Sequence, residues 1–232
     1  MIKLTNVSKK YPNDVLALDN VDVFIDQGEF IYIIGPSGAG KSTFIKSLYR
    51  EEKIDSGSIQ VGKFTVDNMK DKDLPDLRRF VGVVFQDFKL LQNRTIFENV
   101  AYAMEVVEKS PKQIEKRTHE VLKQVGLGHK AEMFPNELSG GEQQRVAIAR
   151  AIANMPSVII ADEPTGNLDP ETSQEIMDIL QDINDQGTTI IMATHNSHIV
   201  NVMRHRVLEI EDGKIVRDEE KGRYSREASN VR

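Results

Sequence analysis

Residues 35–42 read Gly-Pro-Ser-Gly-Ala-Gly-Lys-Ser, a spacing suited to holding a phosphate chain. The glycines, Gly35, Gly38 and Gly40, let backbone N–H groups turn inward around an anion. Pro36, Ser37 and Ala39 complete the loop, and Thr43 follows it. A helix starting at Lys41 would aim its N-terminus at the same anion. Lys41 would place a cation on the β- and γ-phosphates, and the Ser42 hydroxyl would ligate Mg²⁺. A second constellation lies at Val158-Ile159-Ile160-Ala161-Asp162-Glu163, an apolar run ending in two acids. Asp162 is suited to hold the metal through water, and Glu163 to act as general base on an attacking water. An ordinary acidic turn before Pro164 is the bland alternative, and the phosphate loop in the same chain argues against it.

Both constellations need parallel strands to position them. Phe30 to Ile34 is a continuous apolar run ending in glycine, as expected of a buried parallel strand leading into the loop. Further strands are expected at 2–7, 15–25, 57–61, 80–84, 158–161 and 188–194, with a hairpin of 206–210 and 214–217 around Asp212-Gly213. Helices are expected from Lys41 to about Tyr49, within 96–124 with a start at Ser110-Pro111, from Ser139 to about Asn154, and over 171–184. Strands alternating with helices imply an α/β fold with a mostly parallel sheet. The antiparallel signals fall at the N-terminal edge, and residues 96–154 would form an inserted helical subdomain. The domain is expected to span 1–217. Residues 218–232 are polar, nearly without apolar side chains, and read as a disordered tail.

Composition narrows the function. The chain has 232 residues, 39% hydrophobic and 28% charged, enough to bury a full core. With no cysteine, disulfides and cysteine metal sites are excluded. A net charge of −6 disfavours sequence-independent nucleic-acid binding, so no nucleic-acid partner is expected. No apolar run approaches the roughly 20 residues of a membrane span, and the N-terminus has no signal-peptide core. These features imply a cytoplasmic chain, held on the inner face of a membrane only through a partner.

Leu138-Ser139-Gly140-Gly141-Glu142-Gln143 resembles the signature motif of the ABC (ATP-binding cassette) family. Ser139 can cap a helix and hydrogen-bond a γ-phosphate, and the two glycines allow close backbone approach. A plain cap with Glu142 as its fourth member explains the serine and the acid but not the Gly-Gly pair. The resemblance extends over about residues 1–217. It implies that Tyr11 stacks on adenine and that Gln86 senses Mg²⁺ and the attacking water. It further implies that Asp169, in Asn167-Leu168-Asp169, crosses a dimer interface and that His195 contacts the γ-phosphate. The fold implied is a P-loop NTPase core with an N-terminal antiparallel β-subdomain and an inserted helical subdomain. The activity implied is Mg-dependent ATP hydrolysis in a homodimer formed on ATP binding, residues 139–143 of each chain completing the other's site.

Within the family, long coiled coils that would mark a DNA-repair ATPase are missing between the phosphate loop and the signature. Translation-type members carry two cassettes, and this chain has one. A cassette that holds ATP without turnover would lack Glu163 or His195, and both are present. Phe88, Leu90 and Leu91 are apolar residues where the family makes a groove for a partner's coupling helix. Residues 79–103 closely resemble the FtsE family of cell-division ATP-binding subunits. This implies an integral membrane partner of the FtsX type and a mechanical output that regulates cell-wall hydrolysis. ATPase subunits of lipoprotein-releasing and macrolide-export transporters share the Gly-Asn-Leu-Asp loop and are the alternative.

Overall fold

The computed structural model describes residues 1–224. The first half of the chain runs β1 (Ile2–Lys10), β2 (Leu16–Ile25), β3 (Phe30–Ile34), α1 (Lys41–Leu48), β4 (Ser56–Val61), β5 (Phe64–Thr65), α2 (Leu74–Phe80), β6 (Val81–Val84) and α3 (Ile96–Glu105). It continues with α4 (Pro111–Gln124), α5 (Gly140–Ile152), β7 (Val158–Asp162), α6 (Pro170–Asp185), β8 (Thr189–Ala193), α7 (Ser197–Met203), β9 (Arg206–Glu211) and β10 (Lys214–Glu219). These elements fall into two compact units. One takes Met1–Arg78 and the chain from Thr189 onward, the other Arg79–Thr188. No helix among the described residues is long and apolar enough to cross a membrane.

In the first unit, β1 pairs antiparallel with β2 and with β4, in a sheet ordered β2-β1-β4-β5. Alternation buries Ile2 and Leu4, then slips by one so that Val7 also points inward. The slip is a bulge, and Asn6 absorbs it at φ 49°, a conformation asparagine tolerates better than most residues. The second sheet of this unit is built on β3, parallel to β8 on one side and to β9 on the other. All five residues of β3 and all five of β8 are buried, as expected of parallel strands covered on both faces. Each large apolar side chain so buried contributes roughly 1.5–3 kcal/mol. β10 returns antiparallel on β9 through Asp212 (φ 46°) and Gly213 (φ 78°), the Asp-Gly turn that matches strand twist.

In the second unit, β6 and β7 are parallel, with Val84 opposite Ala161. Helices α3, α4 and α5 pack on one another, and all three lie within 96–154. Their starts are chemically marked. Thr95 with Glu98, Ser110 with Gln113 and Ser139 with Glu142 form reciprocal capping boxes.

The helix start expected at Ser110-Pro111 is present, α3 ending at Glu105 and α4 beginning at Pro111. Other expectations are corrected. Phe80 ends a helix, α2, that the sequence did not suggest, and the strand starts at Val81. The short helix α7 was also not expected. Residues 218–224 are not a disordered tail. β10 continues to Glu219, Arg206 clasps Asp218 at 2.7 Å, and Arg217 donates to the carbonyls of Arg223 and Tyr224. Asp218 in turn holds the Arg206 guanidinium above its usual pKa. The remainder of the expected tail, 225–232, lies outside the described residues.

Candidate active site

The sequence-predicted residues divide between the two units. In the first, β3 delivers the chain into the loop Gly35–Lys41. Gly35 (φ 141°) and Gly40 (φ 111°) have no room for a side chain. A Cβ on Gly35 would stand 2.1 Å from the Ile210 carbonyl oxygen, and one on Gly40 2.1 Å from that of Ala17. A Cβ on Gly38 (φ 79°) would meet nothing within 4 Å, so there only the backbone conformation calls for glycine. The β9–β10 turn braces the loop from behind, because the Gly213 N–H donates to the Ala39 carbonyl at 3.0 Å. Helix α1 starts at Lys41 with no side-chain cap and no acid in its first turn, leaving its N–H groups for an anion. The Lys41 ammonium donates to the carbonyls of Gly35 (2.8 Å) and Pro36 (2.9 Å), which keeps the cation on the loop.

Two further residues of this unit reach the same neighbourhood. Tyr11, in the turn between β1 and β2, has its hydroxyl 3.2 Å from that of Thr43. His195 leaves the C-terminal end of β8, which runs beside β3 with Ala193 opposite Ile33. It is solvent-exposed and immediately precedes Asn196, whose side chain caps α7. Both strand ends therefore open on one sheet edge, where α/β folds bind ligands.

In the second unit, Gln86 follows β6, and Asp162 and Glu163 end β7, again neighbouring parallel strands. Gln86 and Glu163 converge on Gly166. A Cβ on Gly166 would lie 3.3 Å from Gln86 Nε2 and 3.4 Å from Glu163 Oε2. Glu163 sits at φ 48°. For a residue other than glycine that conformation costs about 1–2 kcal/mol, and such strain collects where a side chain must be aimed.

Ser139 caps α5. Its hydroxyl accepts from the Glu142 N–H at 3.3 Å, which leaves its own proton free to be donated. The Glu142 carboxylate accepts from Lys130 (2.6 Å) and from the Ser139 N–H, and these bonds hold its pKa below the usual range, Lys130 first. Gln143 donates to the Leu138 carbonyl. The glycine pair has unequal reasons. Gly140 has ordinary space around it, whereas a Cβ on Gly141 would stand 2.2 Å from Cγ2 of Thr172 on α6. Thr172 cannot easily turn away, since its hydroxyl donates to Asp169 at 2.5 Å. Gly141→Ala is thus expected to lower stability by about 1–3 kcal/mol, and Thr172→Ser added to it, which removes the clashing methyl, to restore most of the loss in thermal melts.

Asp169 is the N-cap of α6, accepting from the Thr172 N–H (3.0 Å) and hydroxyl, and these bonds lower its pKa. Of the three apolar residues expected to line a groove, Leu90 is 8% exposed and belongs to the packed interior. Phe88 and Leu91 keep partial exposure.

Two residues that hold this site gave no signal in the sequence. Asn99, fully buried on α3, accepts from the Leu91 N–H and donates to the carbonyls of Leu91, Arg94 and Thr95. Arg150, in the last turn of α5, donates to the carbonyls of Phe88 (2.7 Å) and Lys89 (2.6 Å).

A model of the ABC transporter family matches residues 18–166, more than half of the chain. The chain belongs to that family and is an ATP-hydrolysing cassette. Among its relatives, it is 63% identical over 224 residues to the cell division ATP-binding protein FtsE of Streptococcus pneumoniae serotype 2 (strain D39 / NCTC 7466), covering 97% of both chains. It is 59% identical to the protein of the same name from Bacillus subtilis (strain 168), covering 97% of this chain and 98% of the relative. The dimeric post-hydrolysis structure of the ATP-binding cassette MJ0796 bound to ADP and Pi is similar at a TM-score of 0.84 and 38% identity, over 96% of this chain and 99% of that one.

Proposed function

We propose that this ATPase is the cytoplasmic motor subunit of a cell-division system, acting at the inner face of the membrane on an integral partner of the FtsX type. The observation that carries this reading is its identity of 54–63% to proteins named FtsE along almost the whole of both chains. The phosphate loop supplies the chemistry. Tyr11 stacks on adenine, and the backbone of 35–43 wraps the phosphates. Lys41 exchanges two carbonyl partners for fully charged phosphate oxygens, a stronger hydrogen bond.

Among the described residues no group of three or more His, Cys, Asp or Glu side chains could hold a metal ion. The Ser42 hydroxyl, the Gln86 amide and the Asp162 carboxylate are nonetheless hard oxygen donors. They fit Mg²⁺ that arrives on ATP, since this ion takes one or two carboxylates plus substrate phosphates. When bound, it neutralises charge on the β- and γ-oxygens. Glu163 takes the proton of the attacking water, which Gln86 helps to place against the same glycine. The sheet edge that bears the loop also bears His195, which holds the γ-phosphate. Ser139 to Gln143 of a second copy close over that phosphate, and Asp169 lies at the junction of the two copies. ATP therefore draws two chains together, hydrolysis releases them, and the motion passes to the membrane partner, regulating cell-wall hydrolysis.

The exposed part of Phe88 is the anchor for that partner. Phe88→Asp is expected to leave basal ATPase in solution within about twofold and to abolish co-purification of the membrane protein; unchanged co-purification would place the contact elsewhere. The broader test is recovery of membrane partners with Glu163→Gln in Mg-ATP, read by mass spectrometry. A membrane protein with a large extracytoplasmic domain, together with septal components, supports the proposal. A transport permease alone would replace it with a transport function.

A further inference from the structure

The loop after Gln86 contains two successive residues in the left-handed region, Phe88 (φ 58°) and Lys89 (φ 50°). L side chains avoid this conformation singly and still more in pairs; within the loop the Lys89 N–H donates to the Asp87 carbonyl at 2.5 Å and closes a turn at Phe88, and a second restraint acts from outside the loop. The Lys89 side chain does not supply it, since it turns outward to Asp87 at 2.7 Å. This second restraint comes from α5. The two terminal nitrogens of Arg150 reach the two successive carbonyls, Nη2 to Phe88 at 2.7 Å and Nη1 to Lys89 at 2.6 Å. A planar fork fits such a pair of acceptors, and a single ammonium does not. Among the described residues Arg150 has no carboxylate partner, and burial draws its pKa below the usual value. Its charge is therefore compensated by these carbonyls. Downstream, Asn99 holds the segment from Leu91 to Thr95 against α3. The chain between the two clamps contains only Leu90, which is itself buried.

We infer that Arg150 is a positioning residue whose fork ties the signature helix α5 to the Gln86 loop, so that the placement of Ser139 and of Gln86 is set by one rigid connection. Ser139 opens this helix and Arg150 lies in its last turn. A shift of the helix as a second copy closes on Ser139 would pull on Phe88 and Lys89 and re-aim Gln86 just upstream. The inference rests on the reading of Gln86 as a residue that places the attacking water.

The experiment uses the full chain and five variants: Arg150→Ala, Arg150→Lys, Gln86→Ala, the Arg150→Ala/Gln86→Ala double variant, and Arg117→Ala. Arg117 also donates to α5, at the carbonyls of Ile152 and Ala153, but does not touch the loop, so it reports purely structural loosening of the helix end. Arg150→Ala is expected to speed hydrogen exchange in peptides spanning 85–95 and to lower kcat about tenfold, with nucleotide Kd within twofold. Arg117→Ala should leave exchange in 85–95 unchanged. In the Gln86→Ala background the Arg150 substitution should have no further effect on kcat, since residues acting through one another are not additive. Arg150→Lys should fail to restore kcat, because the charge returns without the fork. Unchanged exchange across 85–95 in Arg150→Ala, or the same tenfold loss with and without Gln86, would overturn the inference. A Gln86→Ala chain with normal kcat would instead overturn the Gln86 reading, and the exchange data would still decide the clamp.

Discussion

Glu163→Gln is expected to lower the rate of ATP hydrolysis by about 10²–10⁴-fold, the range that removal of a positioned general base commands, while nucleotide affinity stays within a few-fold. Glu163 is held at φ 48°, and its carboxylate lies against Gly166 together with the Gln86 amide. Glutamine preserves shape, hydrogen bonding and the strained backbone but cannot take a proton from water. The loss should therefore fall on kcat and leave KM nearly untouched, which separates a chemical role from a binding one. A steady-state assay with a coupled phosphate readout checks it; a loss carried by KM instead would move the base to another side chain. Thermal melts should coincide with those of the unsubstituted chain, because no packing atom is removed.

The second large effect belongs to Lys41→Ala. Its ammonium sits on the loop through the Gly35 and Pro36 carbonyls at 2.8 and 2.9 Å. It is the one cation of the loop itself. A hydrogen bond to a charged group contributes about 1.5–3 kcal/mol, so its removal weakens nucleotide binding by about ten- to a hundredfold. Turnover should fall further, by about 10²–10³-fold, because the same charge is needed more as negative charge develops on the transferred phosphoryl group. Calorimetric titration with ATP and the same phosphate assay measure the two losses separately. Near-normal turnover in Lys41→Ala would remove the phosphate loop from the account.

These two assignments can be made from the sequence because the features behind them are local. The loop's glycines, its lysine and the apolar strand before it are contiguous, and the strand ending in Asp162-Glu163 carries its own address at a sheet edge. Helix starts at Ser110 and Ser139 are readable for the same reason, since a cap and its partner lie three residues apart. What was not legible depends on distant parts of the chain. Gly141 reads as part of a phosphate-facing pair, yet its Cβ is excluded by Thr172 on another helix. Arg150 is one of two arginines on its helix, and only folding brings it to carbonyls some sixty positions earlier. Leu90 reads as a partner contact and turns inward. The domain boundary at 217 failed on a specific confusion. Asp218 and Glu219 read as tail because they are polar, but Arg206 and Arg217 pair with them, and a strand can carry charges that are paired along its edge.

The central claim is that Mg-ATP joins two copies of this chain through the helix that Ser139 caps. Glu163→Gln, which should bind ATP and not consume it, isolates that step. Its molar mass in solution is to be measured by light scattering with and without excess Mg-ATP. The account predicts twice the chain mass of 26.2 kDa with Mg-ATP and a return to the single-chain mass when Ser139→Arg is added, since a bulky cation there blocks the close approach of the second copy. A Glu163→Gln chain that binds ATP yet stays at the single-chain mass would contradict it.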